Sequence, residues 1–124
     1  MKNKTIKTLI NKIMKASNDK KAENVCCYDL NDKGWITEYV ILISAKNTIH
    51  CKALFDEIEK ISKIEIKKTN TNDLYESPKK TGKTESGWVI VDLNSIICHC
   101  ITKELRENYE LDKLMSEKTN TIYY

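Results

Sequence analysis

The stretch S86-G-W-V-I-V-D-L-N-S-I-I-C-H-C100 decides the fold of this chain. Its apolar and β-branched residues form two runs on either side of Leu93-Asn94-Ser95, a pattern that predicts two antiparallel strands joined by a tight turn. The segment that follows, L105-R-E-N-Y-E-L-D-K-L114, is typical of a short acidic helix. We therefore expect a β-hairpin followed by a helix.

Leu93 lies at the predicted tip of this hairpin, and Trp88 begins its first strand. A large apolar side chain at a hairpin tip has little core to join, so we expect Leu93 to project from the hairpin and to contact another molecule. Trp88 could contact the same molecule, because tryptophan is enriched at interface hot spots, or it could belong to the core.

The composition is that of one ordinary domain. The chain has 124 residues, is 40% hydrophobic and 31% charged, and carries a net charge of only +3, which does not demand a nucleic-acid partner. Its five cysteines have irregular spacing, which indicates reduced, packed thiols and a cytoplasmic protein.

No apolar run approaches the roughly 18 residues of a membrane span. The lysine-rich start could loosely imitate an organellar presequence or a membrane-surface helix, but its apolar spacing favours a helix of the domain.

The remaining sequence predicts an α/β (α+β) fold, a mixed sheet of about five strands with flanking helices. Strands are expected at 24–30, 36–44 and 64–68, in addition to the hairpin. The second strand is apolar on both faces, so we expect it to be central. A second amphipathic helix should begin with Asn47 or Thr48 as its cap. The domain is expected to span 1–118, with a mobile polar loop at 69–86 and a frayed tail at 119–124.

Sites for chemistry are scarce in this sequence. The tripeptide C98-H-C100 suggests metal binding, but on a strand the two cysteines face one side and His99 the other, so three ligands cannot converge. We expect packed cysteines beside a hydrogen-bonded histidine. The chain has no glycine-rich phosphate loop and no pair of carboxylates spaced for magnesium. These observations predict no catalytic residue, no metal and no cofactor.

Four segments in this order resemble the ribosomal silencing factor family, also called Iojap-like proteins, over roughly residues 5–117. They are K20-K-A-E-N-V-C-C-Y-D-L30, I36-T-E-Y-V-I-L-I-S-A45, W88-V-I-V-D-L-N-S-I-I-C-H99 and R106-E-N-Y-E-L-D-K-L114. The resemblance implies a fold similar to the nucleotidyltransferase core without its catalytic motif, in agreement with the missing carboxylate pair.

The resemblance also implies a role that is not enzymatic. Such proteins bind the universal large-subunit ribosomal protein fourteen on the intersubunit face, block joining of the small subunit and repress translation. Carried over by match, the contact residues would be Trp88, Asp92 and Leu93, with Arg106 and Tyr109 next, because residues three apart share one side of a helix. Asp92 could instead cap the turn, and Arg106 and Tyr109 could brace the helix against the sheet. We keep a homodimer of the free protein as an alternative to a monomer.

Two other functions remain as alternatives. The first is an active nucleotidyltransferase-like enzyme, which the missing carboxylates disfavour. The second is a general RNA-binding module that would use lysines of the loop region, although a lysine-rich loop is usually only solvated. We expect no membrane association and no direct, sequence-specific contact with nucleic acid.

Overall fold

The computed structural model of the protein describes residues 2–30, 38–69, 79–93, 95–116 and 120–123. Its helices are α1 (Lys2–Asp19), α2 (Thr48–Thr69), α3 (Lys103–Asn108) and α4 (Leu111–Ser116), with one 3-10 turn at Thr84–Ser86. Its strands are β1 (Glu23–Asp29), β2 (Tyr39–Ala45), β3 (Lys79–Thr81), β4 (Trp88–Asp92), β5 (Ile96–Thr102) and β6 (Asn120–Tyr123). Among these helices, none is long and apolar enough to cross a membrane.

The strands form one mixed sheet in the order β3-β4-β5-β2-β1-β6. The pair β2 and β5 is parallel, and the other neighbouring pairs are antiparallel. All residues of β2 are buried, as expected for a strand covered on both faces. The mixed sheet, the central position of the doubly apolar strand and the 88–102 hairpin are therefore confirmed. The predicted turn at 31–34 lies outside the described residues.

Helices α1 and α2 cover one face of the sheet. The apolar stripe of α1 is buried as its spacing predicted, and it packs with the apolar side of α2 and with alternate residues of β4 and β5. An ion pair between Lys12 of α1 and Glu65 of α2 joins the two helices. The predicted cap is also present, since the Asn47 side-chain oxygen accepts the backbone N–H of His50 at 2.8 Å. This layer forms the larger core.

Helices α3 and α4 lie on the opposite face, where a smaller apolar cluster joins them to β1, β2 and the end of β5. Its buried members include Tyr28, Leu42 and Ile101 from the sheet, with Leu111 and Met115 from α4. The bend between the two short helices lies at Glu110, whose φ is 49°. On this side of the sheet, the residues of β4 and of the first half of β5 are only half-buried.

The predicted strand at 64–68 is wrong, because these residues continue α2 to Thr69. Ile64 and Ile66 alternate with charged residues, which suggested a strand. The helical period nevertheless continues through Ile58, Ser62 and Glu65, which are all buried, whereas Ile64 is exposed. Glu65 occupies a position of that period where an apolar residue is expected, and it forms an ion pair with Lys12. Because this position is polar, the sequence pattern did not predict the last turns of the helix.

Two segments predicted to lack structure contain strands. Within the expected loop, β3 pairs with β4, and within the expected frayed tail, β6 pairs with β1. Residues 70–78 and 117–119 lie outside the described residues. Neither strand has an apolar alternation of its own. Each forms on a sheet edge, where the neighbouring strand offers unpaired backbone N–H and C=O groups.

Candidate partner interface

The hairpin of β4 and β5 directs its side chains to two different environments. Val89, Val91, Cys98 and Cys100 belong to the core beneath α1 and α2. The alternate residues lie on the opposite side and are only half-buried. We call this surface the open face; it consists of Trp88, Ile90, Asp92, Ile97 and His99. The sheet therefore presents a mostly apolar, half-buried surface beside α3.

Two glycines fix the entry into β4. Gly82 has a φ of +91°, and a Cβ atom there would lie 2.6 Å from the backbone oxygen of Trp88, so only glycine fits. Gly87 has a φ of +84°, and an added Cβ would crowd Thr102 and Leu105 at 3.1 and 3.3 Å. The backbone oxygen of Gly87 accepts the N–H of Thr102 at 2.8 Å. These close approaches place Trp88 at the end of the open face.

The Trp88 ring is held between two partners. Its indole Nε1–H donates to Nδ1 of His99 at 3.0 Å, and its ring packs against Tyr109 with 5.2 Å between centroids. Burial lowers the pKa of His99 to about 4, so the imidazole is neutral at physiological pH. Because Nδ1 accepts, the proton of the neutral ring lies on Nε2. The hydrogen-bonded histidine predicted from C98-H-C100 is confirmed.

Tyr109 extends the open face onto the helical layer. Its side chain follows α3 and is 61% exposed, and Leu114 of α4 is 45% exposed. Tyr109, Glu110, Lys113 and Leu114 line a shallow cleft of about 270 Å³. An exposed aromatic ring that rests on a second aromatic ring is typical of an interaction surface rather than of a solvated helix end.

The predicted exposure of Leu93 is wrong. Its side chain is 0% exposed and belongs to the core beneath α1 and α2. The turn is closed by the Leu93 N–H, which donates to the Ile96 oxygen at 2.9 Å, and by the Ser95 N–H, which donates to the Leu93 oxygen at 3.0 Å. Asn94, between them, lies outside the described residues. Because the hairpin tip bends over the core, Leu93 can shape the turn but cannot touch a partner in this conformation.

Arg106 is also buried, with only 5% of its surface exposed, which favours the bracing alternative over a direct contact with a partner. Its guanidinium forms a bidentate ion pair with Asp112, at 2.7 Å from Nε and 2.6 Å from Nη2. Nη1 donates to the Asn24 backbone oxygen at 2.6 Å and to the Ser44 hydroxyl at 2.9 Å. Arg106 therefore ties α3 to α4, β1 and β2. This is the bracing role that the sequence left open.

The Asp112 carboxylate is the second centre of this network. It also accepts the hydroxyl of Tyr28 at 2.7 Å. Hydrogen bonds from Arg106 hold the pKa of Asp112 below its usual range, while burial raises the pKa of Tyr28. Sequence reasoning gave no role to Tyr28 or Asp112. The signal that could have found them is the acidic residue of α4, placed within reach of the only arginine.

The cysteines behave as core residues. All five are free and buried, and Cys98 and Cys100 face the side opposite to His99, as predicted. Burial raises the pKa of Cys27 to about 12 and that of Cys98 further, so these thiols remain protonated. Within the described ranges, no three residues of the types His, Cys, Asp and Glu come together as metal ligands.

A second cavity lies where the parallel strands β2 and β5 end, a place where open α/β sheets often bind ligands. It has a volume of about 540 Å³ and is lined by Lys46, Asn47, Thr48, Thr102, Lys103, Glu104 and Glu107. Its charged groups are of both signs. None of these described lining residues is aromatic, whereas Trp88 and Tyr109 are in contact at the open face, so the open face is the stronger candidate interface.

Known proteins resemble the chain over most of its length. The family described as "Ribosomal silencing factor during starvation" matches residues 3–123. The ribosomal silencing factor RsfS of Haemophilus influenzae is 26% identical over 106 residues, which are 86% of this chain and 96% of that protein. A mouse protein named "Mitochondrial assembly of ribosomal large subunit protein 1" is 31% identical over 93 residues, 75% of this chain and 39% of its own length.

Solved structures share the fold. A crystal structure from Bacillus halodurans aligns with a TM-score of 0.66 at 22% identity and covers 94% of this chain and 95% of its own. One from Chromobacterium violaceum aligns with a TM-score of 0.65 at 20% identity and covers 86% and 83%. The family match spans the hairpin, the open face and the Arg106 network together. The chain belongs to the ribosomal silencing factor family.

Proposed function

We propose that this protein binds the large ribosomal subunit through its open face, blocks joining of the small subunit and thereby represses translation in the cytoplasm. The proposed partner is the universal large-subunit ribosomal protein fourteen. Family membership supports a silencing role, and the name of the mouse relative refers to the large ribosomal subunit. The main structural support for the proposal is the exposed Tyr109 ring, which packs on Trp88 at the edge of the half-buried open face.

The predicted contact residues divide into two groups under this proposal. Trp88, Asp92 and Tyr109 would contact the partner, because they lie on or beside the open face. Leu93 and Arg106 would act from the interior, because they hold the hairpin turn and the α3–α4 layer that frame this face. The mechanism is steric, so it consumes no nucleotide and needs no catalytic residue.

Sedimentation of purified ribosomal subunits tests this proposal. Equimolar wild-type protein should co-sediment with the large subunit and lower the fraction of joined ribosomes, with or without added nucleotide. Trp88→Ala should weaken binding by about thirtyfold or more, since loss of a hot-spot aromatic costs about 2 kcal/mol or more at ~1.4 kcal/mol per decade.

The matched control is Ile64→Ala, which removes an exposed apolar side chain from α2, the helix that covers the other face of the sheet. This variant should bind like wild type. Unchanged subunit joining despite confirmed binding would reject the blocking mechanism, and equal loss in both variants would reject the open face as the contact surface. Binding of isolated ribosomal protein fourteen then tests the identity of the partner.

A further inference from the structure

The contact between Trp88 and His99 joins two residues that are eleven positions apart and lie on neighbouring strands. Their ring centroids are 6.0 Å apart with 47° between the planes, and the indole Nε1–H donates to Nδ1 at 3.0 Å. Tyr109 packs on the same indole at 5.2 Å. The indole is therefore fixed by a directional bond and by a ring contact.

We propose that His99 is a positioning residue of the open face, which orients Trp88 for the ribosomal partner by accepting its indole N–H. This inference rests on the proposed function. Ordering a side chain opposes binding when it happens during association, so an indole already ordered in the free protein favours the complex. His99 itself is only half-buried, and burial holds its pKa low enough to keep Nδ1 an acceptor at physiological pH.

The hydrogen bond to His99 also determines which chemical groups Trp88 presents to a partner. Because its single N–H is occupied by His99, the indole presents apolar ring surface and no hydrogen-bond donor. The proton that remains on Nε2 of His99 makes the imidazole the polar member of the pair. We therefore expect the partner to present an apolar surface to Trp88, rather than an acceptor for its N–H.

Two substitutions at one position separate orientation from packing. His99→Asn keeps a side-chain oxygen at the place of Nδ1, so it can still accept the indole N–H. His99→Leu keeps the bulk and removes the acceptor. In the free protein, the Trp88 indole N–H signal in a nitrogen–proton correlation spectrum should stay shifted and protected from water exchange in wild type and His99→Asn. It should lose both properties in His99→Leu. The signal is assigned by its disappearance in Trp88→Phe.

Binding to purified large ribosomal subunits is measured in parallel, below the unfolding temperature of every variant. His99→Leu should bind about tenfold more weakly, the scale of ordering one additional side chain on association, while His99→Asn should bind within about twofold of wild type. Wild-type affinity in His99→Leu, or equal loss in both variants, would overturn the proposal. Failure of the wild-type protein to bind would overturn the proposed function instead, and the indole signal of the free protein would then show separately whether His99 fixes Trp88.

Discussion

Replacing Arg106 with leucine should destabilise the fold far more than the loss of a surface ion pair. The guanidinium makes two bonds to Asp112, one to the Asn24 oxygen and one to the Ser44 hydroxyl, all between 2.6 and 2.9 Å. Removal of one partner from a buried ion pair costs about 3–5 kcal/mol when the remaining charge stays buried.

The exposure of Asp112 reduces this estimate to below the range for a fully buried pair. The Asp112 side chain is 49% exposed, so its carboxylate can regain water after the substitution. The buried Ser44 hydroxyl would lose its Arg106 partner without regaining water. We therefore expect the free energy of unfolding to fall by about 2–3 kcal/mol.

Urea unfolding of Arg106→Leu measures this change, with Lys52→Leu as the control. Lys52 pairs with Asp56 one turn along α2, but the two side chains are 64% and 54% exposed, so the control should stay within about 0.5 kcal/mol of wild type. A stable Arg106→Leu variant that loses ribosome binding would refute the bracing role and make Arg106 a contact residue.

The acid dependence of this effect has a defined sign. Arg106 lowers the pKa of folded Asp112, so the contribution of this carboxylate is present above its unfolded pKa of about 3.9 and is lost as the pH falls through the lower, folded value. In Arg106→Leu, this part of the acid destabilisation should disappear.

Three further predictions concern other parts of the fold. Leu93→Ala should lower the free energy of unfolding by about 2–5 kcal/mol, as buried leucines do, and Leu93→Glu should unfold the protein; a wild-type melting temperature would contradict the burial of this residue. His99 has a lowered pKa, so its contribution should be constant above about pH 6.5 and decline toward pH 4 by at most about 3 kcal/mol, whereas His99→Asn should lack this decline in urea titrations. Truncation after Ser116 removes β6 and exposes the edge of β1, so it should lower stability and promote association seen by light scattering; an equally stable monomer would show that β6 is dispensable.

Strands and helices were predictable from the sequence wherever burial alone sets the spacing of their apolar residues. β2 is covered on both faces and reads as a continuous apolar run, and the α1 stripe has a clear helical period. The end of α2 was not predictable in this way, because Glu65 resembles a solvent-exposed position in the sequence but is buried, and its ion-pair partner Lys12 is 53 positions away. The edge strands β3 and β6 depend on backbone pairing with a neighbour, to which side-chain periodicity gives no signal.

The candidate site shows the same division. Trp88 and Tyr109 could be selected as residues because of their chemistry and their family resemblance, but their ring contact depends on how α3 crosses the sheet. The exposure of Leu93 could not be derived, since it depends on which way the turn bends. Arg106 was selected for an interface, and its buried network became visible only when β1, β2 and α4 were placed around it.

The parallel pairing of β2 with β5 has a consequence for synthesis of the chain. The strand at the centre of the sheet ends at Ala45, but its parallel neighbour begins only at Ile96. While the chain emerges N-terminus first, β2 can pair with β1 and pack beneath α1 and α2, yet its other edge stays unpaired until most of the chain has been made. We expect cooperative folding to wait for β5, and the incomplete nascent chain to present an apolar strand edge that chaperones can bind.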